Sequence, residues 1–248
     1  MNKSPNLQVC LSPDLFHLFS DRKSTVVVVD VLRATSSMCL AIENGIDEII
    51  PVSTVEEALE YKNGKDFILA AERNGQMVKG FDFGNSPQQY QNTEELEGRT
   101  LVMTTTNGTK MINIAKEDHE VVIGSFLNIT ALVEWLTEKG KDVIICCSGW
   151  KGRFCLEDTL FAGALSAKLM GEGFHSDCDS VLASGRLYNA SKKDLFQSLE
   201  DSSHRKRLSN LSTNDDVQLC LAHDLTTVIP VLQGNSLVAD SKQSIVTK

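Results

Sequence analysis

Asp30 and Arg33 are the residues of this chain whose types and placement most directly suggest chemistry. They follow a run of four valines, Val26 to Val29. Consecutive β-branched residues favour a strand buried on both faces of a parallel sheet, and ligands of open α/β sheets bind beyond the carboxyl ends of such strands. The pattern predicts a site where an anion, a cation and the hydroxyls of the Thr35–Ser37 cluster meet. The alternative is a capping aspartate beside a solvated arginine.

A second polar cluster, Thr104 to Thr109, follows another strand-like segment and leads into a helix. Small residues there bring backbone N–H groups and hydroxyls around one point, and the helix N-terminus adds partial positive charge. The cluster predicts an anion-binding turn, although an ordinary capped connection has the same composition. Its glycine spacing does not match a Walker A loop, so a nucleotide P-loop is not predicted.

Further carboxylates follow other predicted strands. Glu72 follows one of them, and Glu157 and Asp158 come after a Ser148–Gly149 turn. Carboxylate oxygens favour a hard cation such as Mg²⁺, whereas the five histidines have no zinc-ligand spacing. Glu157 and Asp158 also suit a first helical turn for dipole reasons alone.

A thiolate mechanism is the main alternative chemistry. Cys147 and Arg153 are separated by five residues, the spacing of a protein-tyrosine-phosphatase loop. Cys147 ends an apolar strand, however, and the surrounding carboxylates indicate a metal site that thiolate chemistry does not use. We therefore expect Cys146, Cys147 and Cys155 to be core or near-core residues.

Composition bounds the class of protein. The chain has 248 residues and a net charge of −9, which argues against binding to nucleic acid. Its seven cysteines, odd in number and without Cys-x-x-Cys spacing, predict reduced thiols. With no signal-peptide pattern and no long apolar run, we expect a cytoplasmic protein without a membrane partner.

Strand-like and helix-like segments alternate up to about residue 156, which predicts a three-layer α/β/α fold with a mainly parallel sheet. The residues from 1 to 248 are interpreted as a single domain whose helix-rich C-terminal part packs on the sheet. Strands are predicted at 26–30, 48–52, 67–71, 99–104, 120–124, 142–147 and 227–232. Helices are predicted at 37–44, 54–61, 129–139, 156–170, 180–189, 192–199 and 215–221, with an exposed helix and loop at 201–214.

Four segments together resemble the 2-phosphosulfolactate phosphatase family. They are Asp30–Thr35, Gly80–Pro87, Thr105–Thr109 and the Glu157-Asp158 pair, and the resemblance extends from about Val26 to Pro230. It implies a magnesium-dependent hydrolase with an α/β fold that converts 2-phosphosulfolactate to sulfolactate and phosphate. In some organisms this step lies on the route to coenzyme M.

For such a reaction, positioning and cationic stabilisation of the phosphoryl group do most of the catalysis. Magnesium is expected on a subset of Asp30, Glu72, Glu157 and Asp158, with Asp82 a weaker candidate, and Arg33 is expected to hold phosphate oxygens. The sulfonate needs its own donors, for which Arg73, Arg153, Arg186, Asn85 and Ser86 are candidates. The remaining substrate-binding candidates are Thr35, Thr105, Thr106, Asn107, Gly108, Thr109, Ser148 and Gly149.

Several alternatives stay open. Asp30 is a possible covalent nucleophile in place of a metal-activated water, although Leu32 stands where aspartyl-phosphate enzymes have a second aspartate. Other candidate functions are a non-catalytic small-anion-binding protein and a phosphatase for another small phosphorylated hydroxy acid. A Rossmann-like dehydrogenase or transferase is disfavoured because Gly-x-Gly-x-x-Gly is missing after the first strand. A homo-oligomer is compatible with the sequence.

Overall fold

The computed structural model describes residues 4–19, 23–91, 94–209 and 214–240. The strands in these ranges are β1 (Leu7–Cys10), β2 (Thr25–Val29), β3 (Ile46–Pro51), β4 (Phe67–Arg73), β5 (Gln76–Met77), β6 (Arg99–Thr104), β7 (Glu120–Gly124), β8 (Val143–Cys147), β9 (Pro230–Gln233) and β10 (Ser236–Ala239). The α-helices are α1 (Ala34–Glu43), α2 (Val55–Leu59), α3 (Gly108–Ala115), α4 (Ile129–Lys139), α5 (Leu156–Gly171), α6 (Asp179–Ser191), α7 (Leu195–Ser198), α8 (Ser203–Ser209) and α9 (Asn214–Leu221). Short 3₁₀ helices occupy Pro13–Leu18, Pro87–Tyr90, Glu94–Leu96 and Phe126–Asn128.

The strands form one sheet in the order β1-β8-β2-β7-β9-β10-β3-β6-β4-β5. Two blocks, β1-β8-β2-β7 and β3-β6-β4, are parallel throughout. The antiparallel hairpin β9–β10 joins the blocks in the middle of the sheet, and β5 adds an antiparallel edge. The predicted mainly parallel α/β sheet is confirmed, whereas its central hairpin was not predicted.

The valines of β2 show how the layers are held together. Val27 and Val29 pack into one hydrophobic cluster with residues of α4 and α5, and Val26 and Val28 pack into another with residues of α1 and α3. Successive side chains of a strand point to opposite faces, so an all-valine strand supplies both cores. The predicted three-layer arrangement is confirmed.

Element boundaries differ from the predicted ones by a few residues. Helix α1 begins at Ala34 rather than at residue 37, and α7 covers only Leu195–Ser198 of the predicted 192–199. Thr54 caps α2, because its hydroxyl accepts a 3.1 Å hydrogen bond from the backbone N–H of Glu57. Strands β1, β5 and β10 were not predicted.

The prediction of an exposed helix and loop at 201–214 was wrong for α8. His204, Arg205 and Leu208 are buried. His204 and Leu208 are four residues apart and therefore face the same side of the helix, so a polar segment still presents one face to the rest of the protein. Residues 210–213 lie outside the described residues.

In the described part of the chain, none of the helices combines the length and the apolar character that crossing a bilayer would require.

Candidate active site

A cleft opens beyond the carboxyl ends of β2, β4, β6 and β8. Predicted site residues from four separate segments line it together, namely Asp30, Arg33, Glu72, Asn85 and Asn107. Trp150 and His204, which the sequence did not single out, complete its wall. This is the edge at which open α/β sheets bind their ligands.

The carboxylate of Asp30 is held against the start of α3. A Cβ atom on Gly108 would lie 2.9 Å from Oδ2 of Asp30 and 2.8 Å from Cβ of Ala34, so only glycine allows this approach. Thr35 stabilises the turn beneath it, accepting a 3.2 Å hydrogen bond from the backbone N–H of Asp30. Burial raises the pKa of Asp30 to about 7, with the negative charges of Glu72 and Glu157 adding to the effect and His204 opposing it.

Glu72 connects two loops at the edge of the cleft. Its Oε2 accepts hydrogen bonds of 3.1 Å from both the backbone N–H and the hydroxyl of Thr106, and its Oε1 accepts one from the N–H of Gly75. Glu72 is buried. The carboxylate is therefore fixed in orientation at the point where α3 begins.

The predicted anion-binding turn is shaped by its own threonines. The N–H of Thr105 donates to the hydroxyl of Thr109 at 3.1 Å, and the N–H of Thr109 donates to the hydroxyl of Thr105 at 3.2 Å. These two hydroxyls are thus occupied inside the turn, while Asn107 lines the cleft. Of the predicted residues in this segment, Asn107 and Gly108 are the ones the structure brings against the cleft and Asp30.

Arg33 is buried and held on two sides. Its guanidinium forms an ion pair with Asp216 and donates a 2.8 Å hydrogen bond to the carbonyl of Gly75. Ser86, a predicted substrate-binding residue, instead donates a 2.6 Å hydrogen bond to Asp216. The sequence did not identify Asp216, because an Asp-Asp pair at a helix start is common for dipole reasons alone.

Glu157 meets a histidine that the sequence analysis did not connect with the site. Its Oε1 lies 2.5 Å from Nδ1 of His204, and its Oε2 is buried without a hydrogen-bond partner among the described residues. Burial raises the pKa of Glu157, but the adjacent His204 outweighs burial and holds the pKa below its usual value. Glu157 is therefore ionised with one oxygen still available.

Asp158 was predicted to be catalytic. Its carboxylate instead holds two loops together and does not line the cleft. Its Oδ1 accepts a 2.9 Å hydrogen bond from the N–H of Val31, and its Oδ2 accepts a 3.0 Å bond from the N–H of Gly149. Burial raises its pKa above the usual value, and Glu157 and Asp30 raise it further. The contacts make Asp158 a residue that positions the segment after β2 and the turn after β8.

The turn after β8 has a tight backbone conformation that requires glycine at position 149. Gly149 has a φ of +61°, and a Cβ there would lie 2.3 Å from the carbonyl oxygen of Arg153.

The hydroxyl of Ser148 and Oδ1 of Asn85 are buried without partners among the described residues. Arg73 lies at the edge of the site, where it donates to the hydroxyl of Thr104 at 3.0 Å and to the carbonyl of Glu72 at 2.7 Å.

Three predicted site residues are not brought to the cleft. Arg153 is exposed, and its backbone pairs with that of Trp150. Arg186 is exposed on α6, where it lines a separate groove between α5 and α6. Asp82 is exposed and accepts a 2.9 Å hydrogen bond from the N–H of Leu69, so this carboxylate serves the edge of the sheet.

The cysteines do not form an accessible nucleophile. Cys147 is fully buried, and burial raises its pKa well above the usual value, as do the nearby carboxylates of Asp158 and Glu157. A thiol in that setting stays protonated and inert. The expectation that Cys146, Cys147 and Cys155 are core residues is confirmed, since all three are buried.

The donor set fits a hard divalent cation. Burial, with the nearby charges of Glu72 and Glu157, raises the pKa of Asp30 to about 7. The buried oxygens Oε2 of Glu157 and Oδ1 of Asn85 have no partner among the described residues. Ligand-type atoms of Cys155, Glu157 and His204 also lie within 4.8 Å of one another. Burial raises the pKa of Cys155, so its thiol is a poor ligand and the oxygens dominate.

Comparison with known proteins assigns the chain to the phosphoric monoester hydrolases. Residues 10–235 match the family model described as 2-phosphosulpholactate phosphatase. The chain belongs to that family, and the resemblance noted in the four sequence segments is confirmed.

Curated relatives carry the same description. The chain is 39% identical over 225 residues to a probable 2-phosphosulfolactate phosphatase of Caldanaerobacter subterraneus subsp. tengcongensis, covering 89% of this chain and 92% of that protein. A protein of the same name from Thermotoga maritima is 42% identical over 212 residues, covering 84% and 88% of the two chains. One from Clostridium novyi is 36% identical over 211 residues, covering 84% and 89%.

Proposed function

We propose that this enzyme hydrolyses 2-phosphosulfolactate to sulfolactate and inorganic phosphate, with Mg²⁺ as its cofactor. Family membership and the names of the relatives support the substrate. The observation that carries the chemistry is the convergence of Asp30 and Glu72 on one cleft that also contains a fixed arginine, Arg33, with Glu157 close enough to raise the pKa of Asp30.

Asp30, Glu72 and Oε2 of Glu157 are the groups proposed to hold the magnesium ion. Asp158 is left out because it does not line the cleft and its oxygens hold the N–H groups of Val31 and Gly149. Glu72 is also hydrogen-bonded but lines the cleft. When bound, Mg²⁺ would supply positive charge that neutralises the phosphoryl oxygens and polarises the phosphate. The positive charge would also offset the burial and the carboxylate repulsion that together raise the pKa of Asp30.

The chain's own residues orient the phosphate. Arg33 enters the cleft with its guanidinium already fixed by Asp216 and Gly75, so little ordering is left for substrate binding. The N-terminus of α3 begins at Gly108 beside Asp30 and directs backbone N–H groups and a partial positive charge toward the same region. Both features favour the spread negative charge of a phosphoryl transition state.

Attack by a water molecule is proposed over attack by Asp30. The carboxylate of Asp30 is buried and crowded by Glu72 and Glu157, which suits a group that orients a ligand or accepts a proton. A covalent role for Asp30 predicts transient phosphate attachment to the protein. Rapid acid quenching during turnover followed by mass measurement of the intact chain distinguishes the two routes.

Release of inorganic phosphate from 2-phosphosulfolactate tests the proposal directly. We expect turnover with Mg²⁺, a loss of turnover in EDTA and its recovery when Mg²⁺ is added back. Glu72→Gln should lower the activity and raise the Mg²⁺ concentration needed, whereas Glu134→Gln, on the exposed face of α4, is the matched control. Equal rates in EDTA would remove the metal from the mechanism, and an absence of phosphate release in any condition would refute phosphatase activity on this ester.

Another small phosphorylated hydroxy acid would use the same phosphate site, so the substrate comparison also addresses that alternative. We further propose that the enzyme works in the reducing cytoplasm, because none of its seven cysteines is disulfide-bonded. Homo-oligomerisation stays a prediction.

A further inference from the structure

Basic side chains surround Trp150 at the wall of the cleft. The guanidinium carbon of Arg207 lies 4.1 Å from the centroid of the indole ring, and Nζ of Lys151 lies 5.3 Å from it. The ring of His204 lies 5.8 Å away, centroid to centroid. His204 and Arg207 are three residues apart on α8, so both project from the same side of the helix toward Trp150.

Arg207 differs from Arg33 and Arg205 because two of its donors have no partner in the described part of the chain. Its Nε and Nη2 are shielded from solvent and have no hydrogen-bond partner among the described residues. By contrast, Arg33 is paired with Asp216, and Arg205 donates to the carbonyl of Phe196 and to Asn214. Shielded donors without partners are costly, so a guanidinium in this state is suited to an anionic ligand.

Lys151 adds a second positive charge beside Trp150. Its backbone N–H donates a 3.1 Å hydrogen bond to Oδ1 of Asn107, which lines the cleft. Its side chain is exposed. In a chain with a net charge of −9, a local pair of cations over an aromatic ring marks a region that attracts anions.

The substrate of the proposed function carries more than one anionic group. Its phosphate is directed to Arg33 and the carboxylate cluster, whereas its sulfonate must avoid those carboxylates. The arginines suggested by the sequence do not supply that site, since Arg153 and Arg186 are exposed away from the cleft and Arg73 bonds to neighbouring chain atoms. Arg207 and Lys151 are cations packed against Trp150, which lines the cleft, and two donors of Arg207 have no partner among the described residues.

We propose that Arg207, stacked on Trp150 and assisted by Lys151, binds the sulfonate of the substrate and so selects sulfonated phosphate esters. This inference rests on the proposed function, because it concerns the same cleft and the same substrate. It assigns the phosphate and the sulfonate to opposite sides of the cleft.

The test compares two esters that differ only in the sulfonate, 2-phosphosulfolactate and 2-phospholactate. The wild-type enzyme should favour the sulfonated ester. Arg207→Met keeps the length and apolar contact of the side chain and should lower kcat/KM for 2-phosphosulfolactate about 10- to 100-fold, with less than about a threefold change for 2-phospholactate. Arg207→Lys should recover part of the selectivity, and Lys193→Met, on an exposed site after α6, is the matched control for loss of one charge.

Three outcomes separate the possibilities. An equal loss for both esters, or a wild-type enzyme that does not distinguish them, would overturn the assignment of Arg207 to the sulfonate. If the wild type hydrolyses neither ester, the proposed function fails, and calorimetric binding of sulfolactate then decides the inference by itself. Binding that Arg207→Met weakens at least about tenfold supports the site, and binding that is unaffected or absent refutes it.

Discussion

Arg33 forms an ion pair with Asp216, which follows it by 183 positions in the chain. Both side chains are buried, and Ser86 donates a hydrogen bond to the same carboxylate. The pair joins the segment after β2, the loop after β5 and helix α9. The guanidinium proposed to hold the phosphate is thereby oriented by the helix-rich C-terminal part of the protein.

Replacing Arg33 by lysine should lower kcat/KM for the phosphate ester about 100-fold, on the order of 3 kcal/mol of transition-state stabilisation. Lysine keeps the charge but cannot hold two phosphate oxygens at once or keep the contacts with Asp216 and Gly75. Steady-state kinetics with a melting curve for each protein checks this. Near-native kinetics in a folded variant would make Arg33 a structural residue only.

Asp216→Asn should weaken substrate binding by releasing Arg33. We expect KM to rise about tenfold and kcat to fall less, because the guanidinium is still present but no longer fixed before binding. Asp215→Asn is the matched control, since Asp215 is exposed at the same helix start and contributes the same charge to the helix dipole. Identical kinetics of the two variants would show that Gly75 alone orients Arg33.

Gly108→Ala should disturb the catalytic centre directly. Its Cβ would lie 2.8 Å from Cβ of Ala34 and 2.9 Å from Oδ2 of Asp30, so the start of α3 or the carboxylate must shift. We expect a stability loss of about 1–3 kcal/mol together with a large loss of activity. In Gly185→Ala the new Cβ meets no atom within 4 Å, so that variant should keep full activity. Urea unfolding and phosphate release measure the two effects, and an active Gly108→Ala enzyme would contradict the close packing.

Asp30 should make the metal-free protein less stable as pH rises. Its pKa is about 7 in the folded protein and 3.8 ordinarily, so between these values the folded state binds more protons than the unfolded state. The free energy of unfolding should therefore fall through this window, by at most about 1.4 kcal/mol per pH unit. Asp30→Asn should remove this slope and be more stable than the wild type at pH 8, although inactive. Urea titrations in EDTA from pH 5 to pH 8 check the sign, and parallel pH profiles for the two proteins would contradict it.

Cys147→Ser should keep most of the activity. The thiol is fully buried at the end of β8, and replacing it with a hydroxyl should cost about 1–2 kcal/mol of stability without touching the reaction. Cys39 is a buried residue of α1, so Cys39→Ser is the matched control and should show a similar stability loss with its activity retained. A Cys147→Ser variant that melts normally and has lost turnover would revive the thiolate mechanism.

The sequence pointed to the candidate site residues at the ends of strands but not to those on helices α8 and α9. Asp30, Glu72 and Asn107 each follow a strand with a clear local pattern, and parallel strands bring such residues to one edge. His204, Arg207 and Asp216 lie on polar helices whose composition resembles a solvated surface. Their roles depend on contacts with residues far along the chain, which local periodicity does not encode.

The hairpin in the middle of the sheet escaped prediction for a related reason. A short apolar segment at 227–232 indicates a strand, but nothing within it specifies that β9 pairs with β7 and that β10 pairs with β3. Pairing partners of strands are non-local, whereas hydrophobic patterns are read within a window of a few residues.

The β9–β10 hairpin also determines when the sheet can close during synthesis of the chain. Strands β7 and β3 do not pair with each other, and residues 230–239 are the strip that closes the gap between the two parallel blocks. Until the ribosome has released residues 230–239, each block has an unpaired inner edge able to pair with another nascent chain. Closure of the sheet must therefore wait until both parallel blocks and this hairpin have been synthesised, and the unpaired edges are a site of aggregation in the interval before it.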